Sequence, residues 1–197
     1  MKKLVCSFLV LVMFLGTMTP PVFGQEGNSS ANSSKVDVLN LVEPYVELQE
    51  DGTLALEGVP RGLYQAFDLE NLESHFDQIN KEVLEGNLVI DEDLNISETG
   101  FSTFHHAGYG SWSYHWWGYQ RLFNNSQANE YRLRLLSQAA GAGMVTGVTK
   151  WFPPVGGIAA VSGGYWALLA TRVEANNRGN GVKVSVTWVN VFSVESL

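Results

Sequence analysis

The chain has 197 residues, 45% of them hydrophobic and 16% charged, enough to bury one compact core or two small ones. A net charge of −8 argues against a nucleic-acid partner. The single cysteine, Cys6, excludes a disulfide framework and a thiolate metal site.

In chain order, Met1-Lys2-Lys3 is a basic start, and residues 4–18 are a continuous apolar run too short for a stable anchor. Val22-Phe23-Gly24 offers the residues a signal peptidase inspects. Residues 1–24 therefore read as a signal peptide cleaved after Gly24, which would remove Cys6 and leave a secreted, cysteine-free chain. Residues 25–35 are Ser- and Asn-rich and read as a disordered linker.

Charge divides the remainder. Residues 25–100 hold 17 acids against three bases, whereas residues 101–197 hold three acids against seven bases. Two readings follow: two lobes of one domain with unlike surfaces, or an acidic pro-segment (36–100) that restrains a cationic C-terminal lobe (101–197) until it is cut away.

Within the acidic lobe, Asp51-Gly52 between residues 45–48 and 53–57 predicts a hairpin. Asp68 is placed to cap a helix running to Glu85, with Gly86 to end it. Leu69, Leu72, Phe76, Ile79 and Val83 recur at steps of three and four and form one apolar stripe. Residues 88–90 and 94–96 are short strand candidates.

In the C-terminal lobe, residues 111–123 read as one aromatic strand, with Gly118 marking a bulge. Asn125 or Ser126 can cap a helix extending to Thr149, and a second helix runs from Val155 to Asn176. A turn at residues 177–181 leads into a half-buried strand over 182–194, where Val182, Val184, Val186 and Trp188 share one face. Pairing this strand with 111–123 makes the helical pair a long crossover. The expected fold class is α+β: an acidic hairpin-plus-helix lobe, then a Gly-rich helical hairpin packed on an antiparallel strand pair.

The helical hairpin is dense in small residues. Ala139, Gly143 and Gly147 fall four apart, as do Gly156, Ala160 and Gly164, and Ala159, Gly163 and Ala167. At that spacing small residues share a face on which two backbones approach closely. Each uncharged arm, 15 residues over 135–149 and 17 over 155–171, is short of the about 20 that span a bilayer. Lys150 lies between the arms, while Trp151, Phe152, Tyr165 and Trp166 suit an interface. The hairpin can be a soluble core or can enter a membrane.

Residues 105–119 combine His105, His106 and His115 with Trp112, Trp116, Trp117, Tyr109, Tyr114 and Tyr119. Exposed rings there would stack on sugars or sit at a lipid interface, with Trp112, Trp117 and Tyr119 as ligand-binding candidates; buried rings would be core. Adjacent His105 and His106 would point to opposite sides of a strand, so no metal site is assigned. No nucleophile elbow, HExxH or phosphate-binding loop is present, and no catalytic residue or cofactor is assigned. His75 lies at the edge of the helical stripe and reads as packing.

Glu43-Pro44-Tyr45-Val46, Ile79-Asn80, Glu85-Gly86, Trp116-Trp117-Gly118 and Asn177-Arg178-Gly179-Asn180-Gly181-Val182-Lys183-Val184 occur in that order around the small-residue helical pair. Over residues 43–194 the chain thereby resembles a group of small exported proteins of Gram-positive bacteria without an established activity. The resemblance implies secretion and transfers no catalytic residue. The layout of signal, acidic segment and Gly-rich hairpin is also similar to that of bacteriocin-type toxin precursors. The expected function is non-enzymatic action at a cell envelope or membrane through the helical hairpin. The alternative is an extracellular module binding cell-wall glycans through exposed Trp and Tyr.

Overall fold

A computed structural model describes residues 37–99, 109–141, 151–152 and 162–197. The fold is α+β. Helix α1 covers residues 37–42, followed by a 3-10 turn at Glu43–Tyr45. Strands Val46–Leu48 (β1) and Leu54–Leu56 (β2) pair antiparallel, with Leu48 opposite Leu54. The reversal uses a turn closed from Gly52 N–H to Gln49 O (2.9 Å), with Gly52 left-handed at φ 81°. Helix α2 (Arg61–Ala66) leads into α3 (Leu69–Leu84).

The α3 stripe is as its spacing predicts: Leu69, Leu72, Phe76 and Ile79 are buried. Its C-terminus is a Schellman motif: Gly86 adopts φ 78°, its N–H reaches Val83 O, and Asn87 N–H reaches Glu82 O, both at 2.9 Å. The N-terminus departs from expectation. Asp68 is itself left-handed (φ 49°) and caps no backbone N–H; its carboxylate accepts from the Asn71 side chain instead. Strands Leu88–Ile90 (β3) and Ile96–Glu98 (β4) form a second hairpin. The later strand starts two residues beyond the predicted place, because Asp91 accepts the Asp93 and Asn95 N–H groups and Leu94 turns left-handed at φ 60°.

Residues 111–123 are not one strand. Ser113–His115 (β5) and Gly118–Phe123 (β6) are a hairpin turning on Trp116-Trp117. Gly118, read as a bulge, is the residue that lets β6 pass its neighbour. Its φ is 140°, and a Cβ there would lie 2.2 Å from Val186 O. Likewise 182–194 is two strands, Val182–Thr187 (β7) and Phe192–Ser196 (β8), reversing through left-handed Asn190 (φ 60°). The expected strand pair is therefore a four-stranded antiparallel sheet in the order β5-β6-β7-β8.

The helical pair is shorter than its small-residue spacing suggested. Asn124, one residue before the expected caps, supplies a capping box with Gln127 for α4 (Asn125–Ala139). That helix ends ten residues before Thr149, because Gly141 leaves it at φ 75°. Helix α5 is Gly163–Asn176, starting after the extended Ser162 rather than at Val155. The two pack along their length and are tied by Arg132–Glu174 (3.0 Å) and by Asn177 Nδ2 donating to Asn125 Oδ1 (2.8 Å).

Two apolar clusters result. One fills the space between α4, α5 and the sheet, with Tyr119, Phe123, Val182, Val184, Val186 and Val194 from the strands. The other lies around α3, and it contains Trp116 and Trp188 from the sheet turns among its buried members. The acidic lobe thus shares its core with the C-terminal lobe.

Candidate functional site

The register of the sheet sorts its side chains onto two faces. One face carries Tyr119, Phe123, Val182, Val184, Val186 and Val194 into the helical cluster. On the other, a single cross-strand row reads Ser113, Gln120, Ser185, Ser193 through all four strands. Flanking rows hold His115, Gly118 and Thr187 on one side and Leu122, Lys183 and Glu195 on the other. Among the described residues, none from these three rows belongs to either apolar cluster. On β7 and β8 this polar face is covered, since Ser185, Thr187 and Ser193 are all buried, and it reaches solvent only toward Ser113, Gln120 and the Lys183–Glu195 pair.

The row is internally oriented. Ser113 Oγ donates to Gln120 O (3.0 Å), and Ser185 Oγ donates to Gln120 Oε1 (3.5 Å), which leaves the Gln120 Nε2 donors directed away from that bond. Lys183 Nζ meets Glu195 Oε2 at 2.7 Å. Ser185 and Ser193 are buried, so the groups nearest solvent are exposed Ser113 and half-buried His115, Gln120, Lys183 and Glu195. At the hairpin tip the Trp117 indole stacks on the His115 imidazole, with centroids 4.6 Å apart and planes 14° apart. Trp117 is half-buried, packed partly against the α3 cluster.

The other two rings expected to contact a ligand do not reach this face. Tyr119 is buried on the helical side, where its hydroxyl donates to Gln78 Oε1 on α3 (3.1 Å). Burial raises its phenol pKa well above the ordinary value. Trp112 packs edge-on against Phe123 and Tyr131, 6.0 and 6.4 Å between centroids, and is half-buried. Of the three, Trp117 remains a candidate.

The hairpin residues divide similarly. Trp151, Phe152 and Trp166, expected at an interface, are buried core: Trp151 stacks over Phe123 and Tyr131, and Phe152 meets Trp166 edge-on at 5.1 Å. Their apolar area is already spent inside the fold. Ala139 lies close against Gly163, a member of the Ala159–Gly163–Ala167 spacing: a Cβ at Gly163 would lie 2.8 Å from Ala139 O. Gly164 is exposed, with its own Ser162 Oγ as its nearest neighbour. Gly143, Gly147, Gly156 and Ala160 lie outside the described residues, as do His105 and His106. On α4, Leu133 and Leu136 stay exposed three residues apart, at 61% and 39%.

Among the described residues no helix is long and apolar enough to cross a membrane, and no three His, Cys, Asp or Glu side chains are grouped to hold a metal. His75, read from the sequence as packing at the edge of the stripe, is buried there, whereas sequence reasoning missed Gln78 and Asn80 as docking residues. Asn80 uses both ends of its amide on Leu54, accepting from its N–H (2.7 Å) and donating to its carbonyl (2.9 Å). Its place one residue beyond the α3 stripe, facing the β1–β2 hairpin, was the available signal.

No family model, curated protein or solved structure matches the chain.

Proposed function

We propose that this is an exported, non-enzymatic protein that acts at a cell envelope by binding wall glycan on the polar face of its sheet. The observation that carries this reading is the solvent-reaching part of the polar face, Ser113, Gln120 and the Lys183–Glu195 pair, beside the stacked His115–Trp117 pair. A sugar ring offers an apolar C–H face to an indole and hydroxyls that both donate and accept. Trp117 supplies the ring surface. Gln120, Ser113 and the Lys183–Glu195 pair supply hydrogen-bonding groups at the 4.7–4.9 Å spacing, roughly, of neighbouring strands.

A second reading, lipid contact by the helical hairpin, is favoured by exposed Leu133 and Leu136. It is the weaker of the two, since Trp151, Phe152 and Trp166 are already used in the core.

Co-sedimentation separates them. The chain from residue 25 onward is expected to pellet with purified peptidoglycan and to remain in solution with anionic vesicles. Trp117→Ala should abolish the first, while Leu133→Gln with Leu136→Gln leaves it unchanged. Vesicle binding that depends on the two leucines, with no wall binding, would replace the glycan reading by the lipid one.

A further inference from the structure

Among the contacts that join the acidic lobe to the sheet is a buried imidazole. His75 lies in the middle of α3 at 3% exposure. Its Nε2 is 2.7 Å from the carbonyl oxygen of His115 on β5. A carbonyl only accepts, so the neutral ring carries its proton on Nε2 and leaves Nδ1 as a bare lone pair. That Nδ1 is buried and has no hydrogen-bond partner among the described residues. The ring is held between Tyr119 of β6, edge-on with centroids 4.7 Å apart, and Tyr114 of β5, stacked at 6.5 Å. One turn along α3, Gln78 accepts from Tyr119 Oη.

We propose that His75 is an acid-sensitive latch: neutral, it fastens α3 to β5 and β6, and uptake of a proton at Nδ1 releases the acidic lobe from the sheet. The proton comes from solvent and adds to the lone pair; no bond to the chain is made or broken. The imidazolium would be enclosed by two phenol rings and α3. The titratable groups facing it from the sheet are Tyr114 and Tyr119, both pushed upward by burial and therefore uncharged, and Glu82 acts on Tyr114 from α3 itself. Among the described residues, no carboxylate acts on His75. Burial lowers its pKa to about 4, outweighing the backbone groups of His115 and Gly118 that favour the charged form.

In the released state the imidazole regains its ordinary pKa of about 6.5. Docking is therefore fully favoured above about 6.5 and loses ground as pH falls toward about 4, by up to about tenfold per pH unit. Release would bring Trp116 and Trp188, buried in the α3 cluster, into water.

The test compares the full chain with His75→Gln, whose amide can still donate to His115 O but does not titrate. The urea concentration that shifts tryptophan emission is measured from pH 7.5 to 4. The wild type should lose resistance between pH 6.5 and 4 relative to the glutamine variant, with the difference growing toward acid. Parallel profiles would overturn the latch. Independently, the His75 imidazole NMR signal in the wild type should stay neutral below pH 6 while the lobes are docked. An ordinary titration near 6.5 with docking intact would also overturn it, and this second measurement holds even where the variant does not fold.

Discussion

Trp188, in the last turn of the sheet, donates its indole N–H to the backbone carbonyl of Phe67, 121 residues earlier, at 2.9 Å. The indole is fully buried among α3 side chains. The bond closes the acidic segment onto the C-terminal lobe from a second point, beyond the His75 contact. A pro-segment removed by one cut would have to leave this cavity behind.

Trp188→Phe should accordingly weaken both lobes together. Losing the second ring and orphaning the Phe67 carbonyl predicts a loss of about 2 kcal/mol in one cooperative urea transition. Two separate transitions in the wild type, only one of them moved by the substitution, would show that the lobes fold independently.

Asn80 makes a similar prediction for the hairpin. Its amide is the partner of both backbone groups of Leu54, so Asn80→Leu leaves a part-buried N–H and a part-buried carbonyl without acceptor or donor. A loss of about 2 kcal/mol in chemical denaturation is expected. Hydrogen exchange at the Leu54 amide should rise by more than the global change; unchanged protection would contradict the pairing.

Glycine substitutions should divide by what their Cβ meets. Gly118→Ala and Gly181→Ala would each put a methyl within 2.2 Å of a strand carbonyl, Val186 O and Phe123 O respectively, at φ 140° and 108°. Gly179→Ala, at φ 98°, meets nothing within 4 Å. The first two should cost about 3 kcal/mol each and the last about 1 kcal/mol, which a set of thermal melts resolves.

These glycines also explain how much of the fold the sequence disclosed. The α3 stripe and the Asp51-Gly52 reversal were legible because period and turn chemistry agree. The Trp116-Trp117 and Trp188-Val189-Asn190 reversals were not. Bulky side chains fill positions where Gly or Asn-Gly would announce a hairpin, and the conformational burden falls on Gly118, just beyond the first turn, and on Asn190 at the end of the second. The ends of α4 and α5 were overrun because the four-residue spacing of Ala139, Gly143 and Gly147 continues through Gly141, whose left-handed conformation ends α4. The polar row was invisible for a different reason. Its four members come from separate strands, and cross-strand register is not written in any one of them.

Tyr131 gives a prediction of opposite sign. Its ring is fully buried and stacks on Phe123 at 4.4 Å, yet its hydroxyl has no hydrogen-bond partner among the described residues. Tyr131→Phe should keep the stack and raise stability by about 1 kcal/mol, because an unsatisfied buried hydroxyl is removed. A loss of that size in the same denaturation assay would mean that the hydroxyl has an acceptor.

The most direct measurement is a titration of the isotopically labelled chain with soluble peptidoglycan fragments, followed residue by residue in solution NMR. The account predicts that the Trp117 indole N–H, the Gln120 side-chain amide and the Ser113 amide shift together, while the indole signals of Trp112 and Trp151 stay in place. Shifts confined to Leu133, Leu136 and their neighbours on α4, with the Trp117 and Gln120 signals unmoved at saturation, would contradict it.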